Sequence, residues 1–139
     1  MAYARSLTEI LKSIQEKKTK KEKVQALKEH DSLALRNVLI LTYDKSKKFL
    51  VPDSAPPYSP SKSDESQGAW QRETRKLKYV VDGFGGEKVA KIKRENIFID
   101  ILETIDANDA KVFIQMIQKK PFEGITKPMI NEAFGEIVK

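Results

Sequence analysis

Residues 49–60, FLVPDSAPPYSP, hold four of the six prolines and interrupt a chain that otherwise carries helical patterns over most of its length. Proline fixes φ and has no N–H to donate, so neither a helix nor a central strand runs through Pro52, Pro56, Pro57 and Pro60. Phe49, Leu50, Val51 and Tyr58 are too apolar for a solvated linker. The segment therefore reads as an extended strap, pinned by those side chains to a helical body. It is a connection with a shape, and it names no reaction.

Upstream of the strap, three helices are expected. Ser6-Leu7-Thr8-Glu9 has the S-x-x-E form of a capping box, and Leu7, Ile10, Leu11 and Ile14 follow at helical spacing, predicting a helix from about Leu7 to Lys17. Thr19-Lys20-Lys21-Glu22 repeats the device for a second helix reaching Glu29, apolar only at Val24, Ala26 and Leu27. Asp31 or Ser32 can cap a third, through Leu33, Leu35, Val38, Leu39 and Ile40 to Tyr43, which is apolar on most of its circumference and so expected to be central.

Downstream, SKSDESQG at 61–68 reads as a mobile loop. A fourth helix places Trp70, Leu77, Val80 and Val81 inward, and GFGG at 83–86 stops it. A fifth begins near Glu87 or Lys88 with a basic first half and becomes apolar from Ile97 to Ile105. Asp106 can cap a sixth, carrying Ala110, Phe113, Ile114 and Ile117, and Thr126 a seventh with Pro128 in its first turn. The expected fold is all-α: a single domain over residues 1–139, of six or seven short helices, with strap and loop at 52–68. Leu35, Leu39, Leu77, Phe98, Ile101, Leu102, Phe113 and Phe134 are its expected core.

With 139 residues and 40% hydrophobic content the chain supports one core. Cysteine is absent, which removes disulfides, thiolate nucleophiles and Cys-bound zinc and suits the cytoplasm. No run approaches the roughly 18 apolar residues of a membrane span. The net charge of +6 is unevenly spread: residues 1–51 hold 12 Lys/Arg against 6 Asp/Glu, and residues 67–95 hold 8 against 4. Residues 52–66 hold 1 against 3, and residues 96–139 hold 5 against 7. A polyanion would meet the two basic blocks.

Catalytic patterns are weak. His30 is the only histidine and stands beside Asp31, but no serine has an elbow context and a lone His near a helix C-terminus more often complements the helix dipole. Asp100 and Glu103 share a helix face near Glu95, Asp106 and Asp109, yet neither a converging carboxylate set with a supporting lysine nor Glu-x-x-His repeats are present, so a solvent-facing acidic stripe is the plainer reading. GFGGEK at 83–88 matches no phosphate-loop pattern and reads as a turn between helices. No enzyme, cofactor or metal is expected.

The basic residues carry more. Lys17, Lys18, Lys20, Lys21 and Lys23 lie at the turn into the second helix, and Arg72, Arg75, Lys76, Lys78, Lys88, Lys91, Lys93 and Arg94 line the fourth and fifth. Such cations neutralise phosphates without reading sequence, with Tyr79 or Trp70 available to stack on bases. The competing reading is that their stems cover apolar surface while the heads pair with Glu73, Glu87 and Glu95.

ALRNVL (34–39), the strap, WQRETRKLKYVVDG (70–83) and GITKPMINEAF (124–134) together resemble an uncharacterised family of small proteins of contractile-tailed phages, including phages of marine cyanobacteria. The similarity is nearly full-length. It implies a source and the host cytoplasm as compartment, and carries no catalytic residues. The expected function is a non-enzymatic phage accessory protein that binds nucleic acid, or a nucleoprotein replication or transcription machine, through the basic surface. The alternative is an adaptor or inhibitor docking on a host or phage protein through Phe49, Pro56, Pro57, Tyr58 and Trp70. No membrane partner is expected.

Overall fold

A computed structural model of the chain describes residues 6–52, 54–61, 68–83 and 85–139. Ser6, Thr19, Ser32, Asp106 and Thr126 stand at helix N-caps, each accepting a hydrogen bond from a backbone N–H two or three residues on. They open α1 (Leu7–Gln15), α2 (Lys20–Glu29), α3 (Leu33–Tyr43), α6 (Ala107–Ile117) and α7 (Lys127–Phe134). Between them lie α4 (Ala69–Glu73), a 3₁₀ segment (Thr74–Val80), a short 3₁₀ turn (Gly86–Lys88) and α5 (Lys91–Thr104). Among the described residues there is no strand, only one antiparallel bridge between Phe49 and Val81. The fold is all-α.

The helices pack around one apolar cluster. α2 lies against α7 and α1, α1 against α6, α3 against α6 and the 3₁₀ segment, and α5 against α6 and the 3₁₀ segment. Leu35, Leu39, Leu77, Phe98, Ile101, Leu102 and Phe113 are buried as expected. Burial of a phenylalanine such as Phe98 or Phe113 stabilises by about 1.5–3 kcal/mol. Phe134 is only half-buried and receives the guanidinium of Arg36 over its ring at 5.1 Å. Leu33, on the outward side of α3, is exposed.

The segment expected as a strap touches the helical body at several described residues. Leu50 donates its N–H to Val80, Asp82 donates to Lys48, and Phe49, Val51 and Tyr58 pack on the core while staying partly exposed. Farther along, the Ser59 N–H reaches the carboxylate of Glu103 at 2.7 Å. The loop expected to be mobile lies, at 62–67, outside the described residues.

The fourth helix departs from expectation. After one turn of α-helix it tightens to a 3₁₀ form, and its buried positions become Thr74, Leu77 and Val80, three residues apart. With a rise of about 2.0 Å per residue in place of about 1.5 Å, the segment extends far enough for Val80 and Val81 to meet the strap. Val81 is thus buried by the bridge to Phe49 and not by a helical face.

The fifth helix starts at Lys91, later than Glu87 or Lys88. The chain first folds back so that Gly86 donates to the Val81 carbonyl at 3.2 Å. A Cβ on Gly86 would stand 2.8 Å from that oxygen and 2.9 Å from the Val81 nitrogen, so only glycine fits this approach.

Candidate nucleic-acid interface

The 3₁₀ register decides what the basic helix presents. At three residues per turn, positions three apart eclipse, so an inward row of Thr74, Leu77 and Val80 leaves Arg75 and Lys78 aligned in an outward row. Arg72, Arg75, Lys76, Lys78 and Tyr79 are all exposed. Lys78 sits over the Tyr79 ring at 5.0 Å. Arg75 and Lys78 are separated by about 6 Å of axial rise.

One carboxylate stands beneath this ridge. Glu73 is buried, and its oxygens accept from Lys76 at 3.0 Å and from Arg72 at 3.5 Å. Arg75 and Lys78 form no ion pair with any described residue. Two of the four cations thus share one carboxylate, and the two heads without an ion pair among the described residues are those aligned by the 3₁₀ turn. Lys91 and Lys93 continue the exposed charge on α5, which packs against the same segment.

Arg94 does not belong to that surface. Its guanidinium turns inward and donates to the carbonyls of Leu50 at 3.2 Å, Gly86 at 3.2 Å and Val89 at 2.5 Å. It ties strap, 3₁₀ turn and α5 together, work for which a planar fork with several donors is suited. Trp70 is fully buried, as its inward place on the fourth helix predicts, and is therefore not exposed for the stacking or docking also considered for it.

The other basic block lies elsewhere. Lys17, Lys18, Lys20 and Lys21 are exposed around the start of α2, whose main packing partners are α7 and α1, whereas the ridge packs on α3 and α5. Lys20 faces Glu132 at 3.6 Å, an exposed pair of little energetic consequence. Lys23 donates to the Gly124 carbonyl at 2.9 Å and holds the entry to α7. The strap residues Phe49 and Tyr58 face inward in part. A cleft of about 350 Å³ separates Pro52, Pro56 and Pro57 from α5.

The catalytic patterns acquire structural roles. His30 caps the end of α2, its Nε2 lying 3.1 Å from the Ser13 hydroxyl, while both oxygens of Asp31 accept from Arg36 at 2.7 Å. That hydrogen bond holds the Asp31 carboxyl below its ordinary value. Glu87 accepts the N–H of Gly83 at 3.0 Å, so the chain's own carboxylate occupies the glycine turn. Phe84 lies outside the described residues. Asp109, expected on a solvent-facing stripe, is buried against α1, and no group of three or more possible metal ligands occurs among the described residues.

A family model described as a family of unknown function, DUF6433, matches residues 10–122. The chain belongs to this family. The matched span of DUF6433 runs from within α1 past the end of α6 and therefore takes in the lysines at 17–23, the basic residues at 72–94 and the strap. No curated protein and no solved structure matches the chain. No helix among the described residues is long and apolar enough to cross a membrane.

Proposed function

We propose that this chain is a non-enzymatic, phage-encoded accessory protein that binds the phosphates of nucleic acid in the host cytoplasm, alone or within a replication or transcription complex. The observation that supports this reading is the 3₁₀ ridge, where Arg75 and Lys78 are aligned, exposed and unpaired among the described residues. Arg72 and Lys76 flank them over Glu73. Binding is sequence-independent, because the side chains are suited to phosphate oxygens, which carry no sequence information. Lys17, Lys18, Lys20 and Lys21 form a second, separate electropositive patch that adds long-range attraction.

Fluorescence-anisotropy titration of labelled single-stranded and duplex oligonucleotides against salt tests it. Affinity should fall log-linearly with salt, with a slope of about −0.7 to −0.9 per neutralised phosphate. The double variant Arg75→Gln, Lys78→Gln should flatten that slope by about 1.5. Lys111→Gln with Lys120→Gln, exposed in the acidic C-terminal third, should leave it unchanged. Absence of binding at about 50 mM salt, or equal effects of the two pairs, would end the proposal.

A further inference from the structure

We propose that the cleft between α3, the 3₁₀ segment and the C-terminal residues binds a free, single-chain aliphatic carboxylate. Its volume is about 490 Å³, within the ~300–1,000 Å³ of small-ligand sites. The floor is formed by Ile40, Leu41, Leu77, Val81 and Ile137, with Leu41, Leu77 and Val81 buried. Branched alkyl groups favour an alkyl chain by releasing water and provide no aromatic face for a base or sugar. No buried side-chain nitrogen or oxygen among the described residues lacks a partner. A ligand rich in hydroxyls would be dehydrated over the five aliphatic side chains of that floor, with Asn37 and Thr74 as the uncharged polar residues of the lining.

The rim selects the sign of the head group. Lys47, Arg75 and Lys78 line it, together with the carboxylate of Asp44. That carboxylate is already engaged: Oδ1 accepts from the Ser46 N–H at 2.9 Å and hydroxyl at 2.5 Å, and Oδ2 from the Lys139 N–H at 3.4 Å. The surplus charge belongs to Arg75 and Lys78, which have no described ion-pair partner. A guanidinium matches a carboxylate with two parallel hydrogen bonds. Arg75 and Lys78 are shared with the phosphate-binding ridge, but the apolar floor is used by this ligand alone.

Isothermal titration calorimetry with monomeric hexanoate, octanoate and decanoate tests the site. Decyltrimethylammonium supplies the same chain with the opposite charge, and phosphatidylglycerol vesicles supply a membrane source. Affinity should rise about fourfold per added CH₂, and the cationic amphiphile should bind at least tenfold more weakly than decanoate. Ile137→Trp, at a half-buried position of the floor, should weaken decanoate binding at least tenfold and leave oligonucleotide affinity unchanged. Lys78→Glu, at the exposed rim, should give the same loss for decanoate without touching the core. Affinity independent of chain length, equal binding of the cation, or decanoate binding unaffected by both substitutions would overturn the site, as would binding to vesicles with none to monomeric decanoate. Decanoate binding without oligonucleotide binding would remove the phosphate reading and leave this one standing.

Discussion

The carboxylate of Asp109 closes the first turn of a helix to which it does not belong, by way of Thr8. One oxygen accepts the Thr8 N–H at 2.8 Å and its hydroxyl at 2.7 Å, while the other accepts the Leu7 N–H at 3.1 Å. Those amides are among the first of α1 and have no partner within it, and Ser6 serves only Glu9. The acidic group also lies at the positive end of the helix dipole. A residue of α6 thus finishes the N-terminus of α1, from across about a hundred residues of chain.

Replacing Asp109 by alanine should strand three donors and cost about 2–3 kcal/mol, read as a lower urea midpoint. Asp109→Asn keeps an acceptor and should cost less. Burial raises the Asp109 pKa above the ordinary 3.8, and the bonds from Thr8 and Leu7 offset only part of that. A raised folded-state value means that this group's contribution is fully present below pH 3.8 and is lost as pH rises through the folded value. Thermal midpoints of Asp109→Asn across that window should lack this component of the pH dependence.

Tyr43 performs a similar task at the other end of the core. Its hydroxyl donates to the Ile125 carbonyl at 2.6 Å and accepts the Phe122 N–H at 2.8 Å, fixing the turn into α7. Burial pushes its pKa up to about 12. The contribution is complete below the ordinary value of 10.0 and disappears as pH rises through about 12. In an ultraviolet titration one tyrosine should ionise near pH 12, and Tyr43→Phe should remove that step. The same substitution should cost about 1–2 kcal/mol, because the Phe122 N–H loses its partner.

Lys119 and Lys120 should respond very differently to alanine. The Lys119 ammonium donates to the carbonyls of Leu41 and Asp44 at the end of α3 and lies 5.2 Å from the Phe49 ring. Burial lowers its pKa. Lys119→Ala should destabilise by about 1.5–3 kcal/mol, the scale of hydrogen bonds to a charged group. Lys120 is exposed, and its alanine variant should stay within about 0.5 kcal/mol of the parent. Chemical denaturation of the two variants in parallel measures the contrast.

Which parts of this architecture were legible in the sequence follows from the range of the interactions. The caps at Ser6, Thr19, Ser32, Asp106 and Thr126 act over two or three residues, and the pattern of side chains shows them directly. The strap was legible from proline chemistry. The 3₁₀ segment was hidden because, across two turns, periods of 3.0 and 3.6 both place Leu77 and Val80 inward. Arg94 and Asp109 were misassigned for a common reason. Their partners lie on other elements, so an arginine in a basic run or an aspartate in an acidic one looks solvated until the helices are packed. The ridge residues Arg72, Arg75, Lys76 and Lys78 were named from composition, but their alignment depends on a helix type that composition does not reveal.

The ridge is anchored at both ends. At its start Glu73 is buried beneath Arg72 and Lys76, and at its end Val80 and Val81 are joined to Leu50 and Phe49 of the strap. Arg94 braces that second anchor by reaching the Leu50 carbonyl. On the proposed function, a phosphate arriving at Arg75 and Lys78 meets a backbone that both anchors already hold. Only side-chain rotamers remain to be ordered, so the entropic cost of capture falls on two flexible stems and not on the seven residues that carry them.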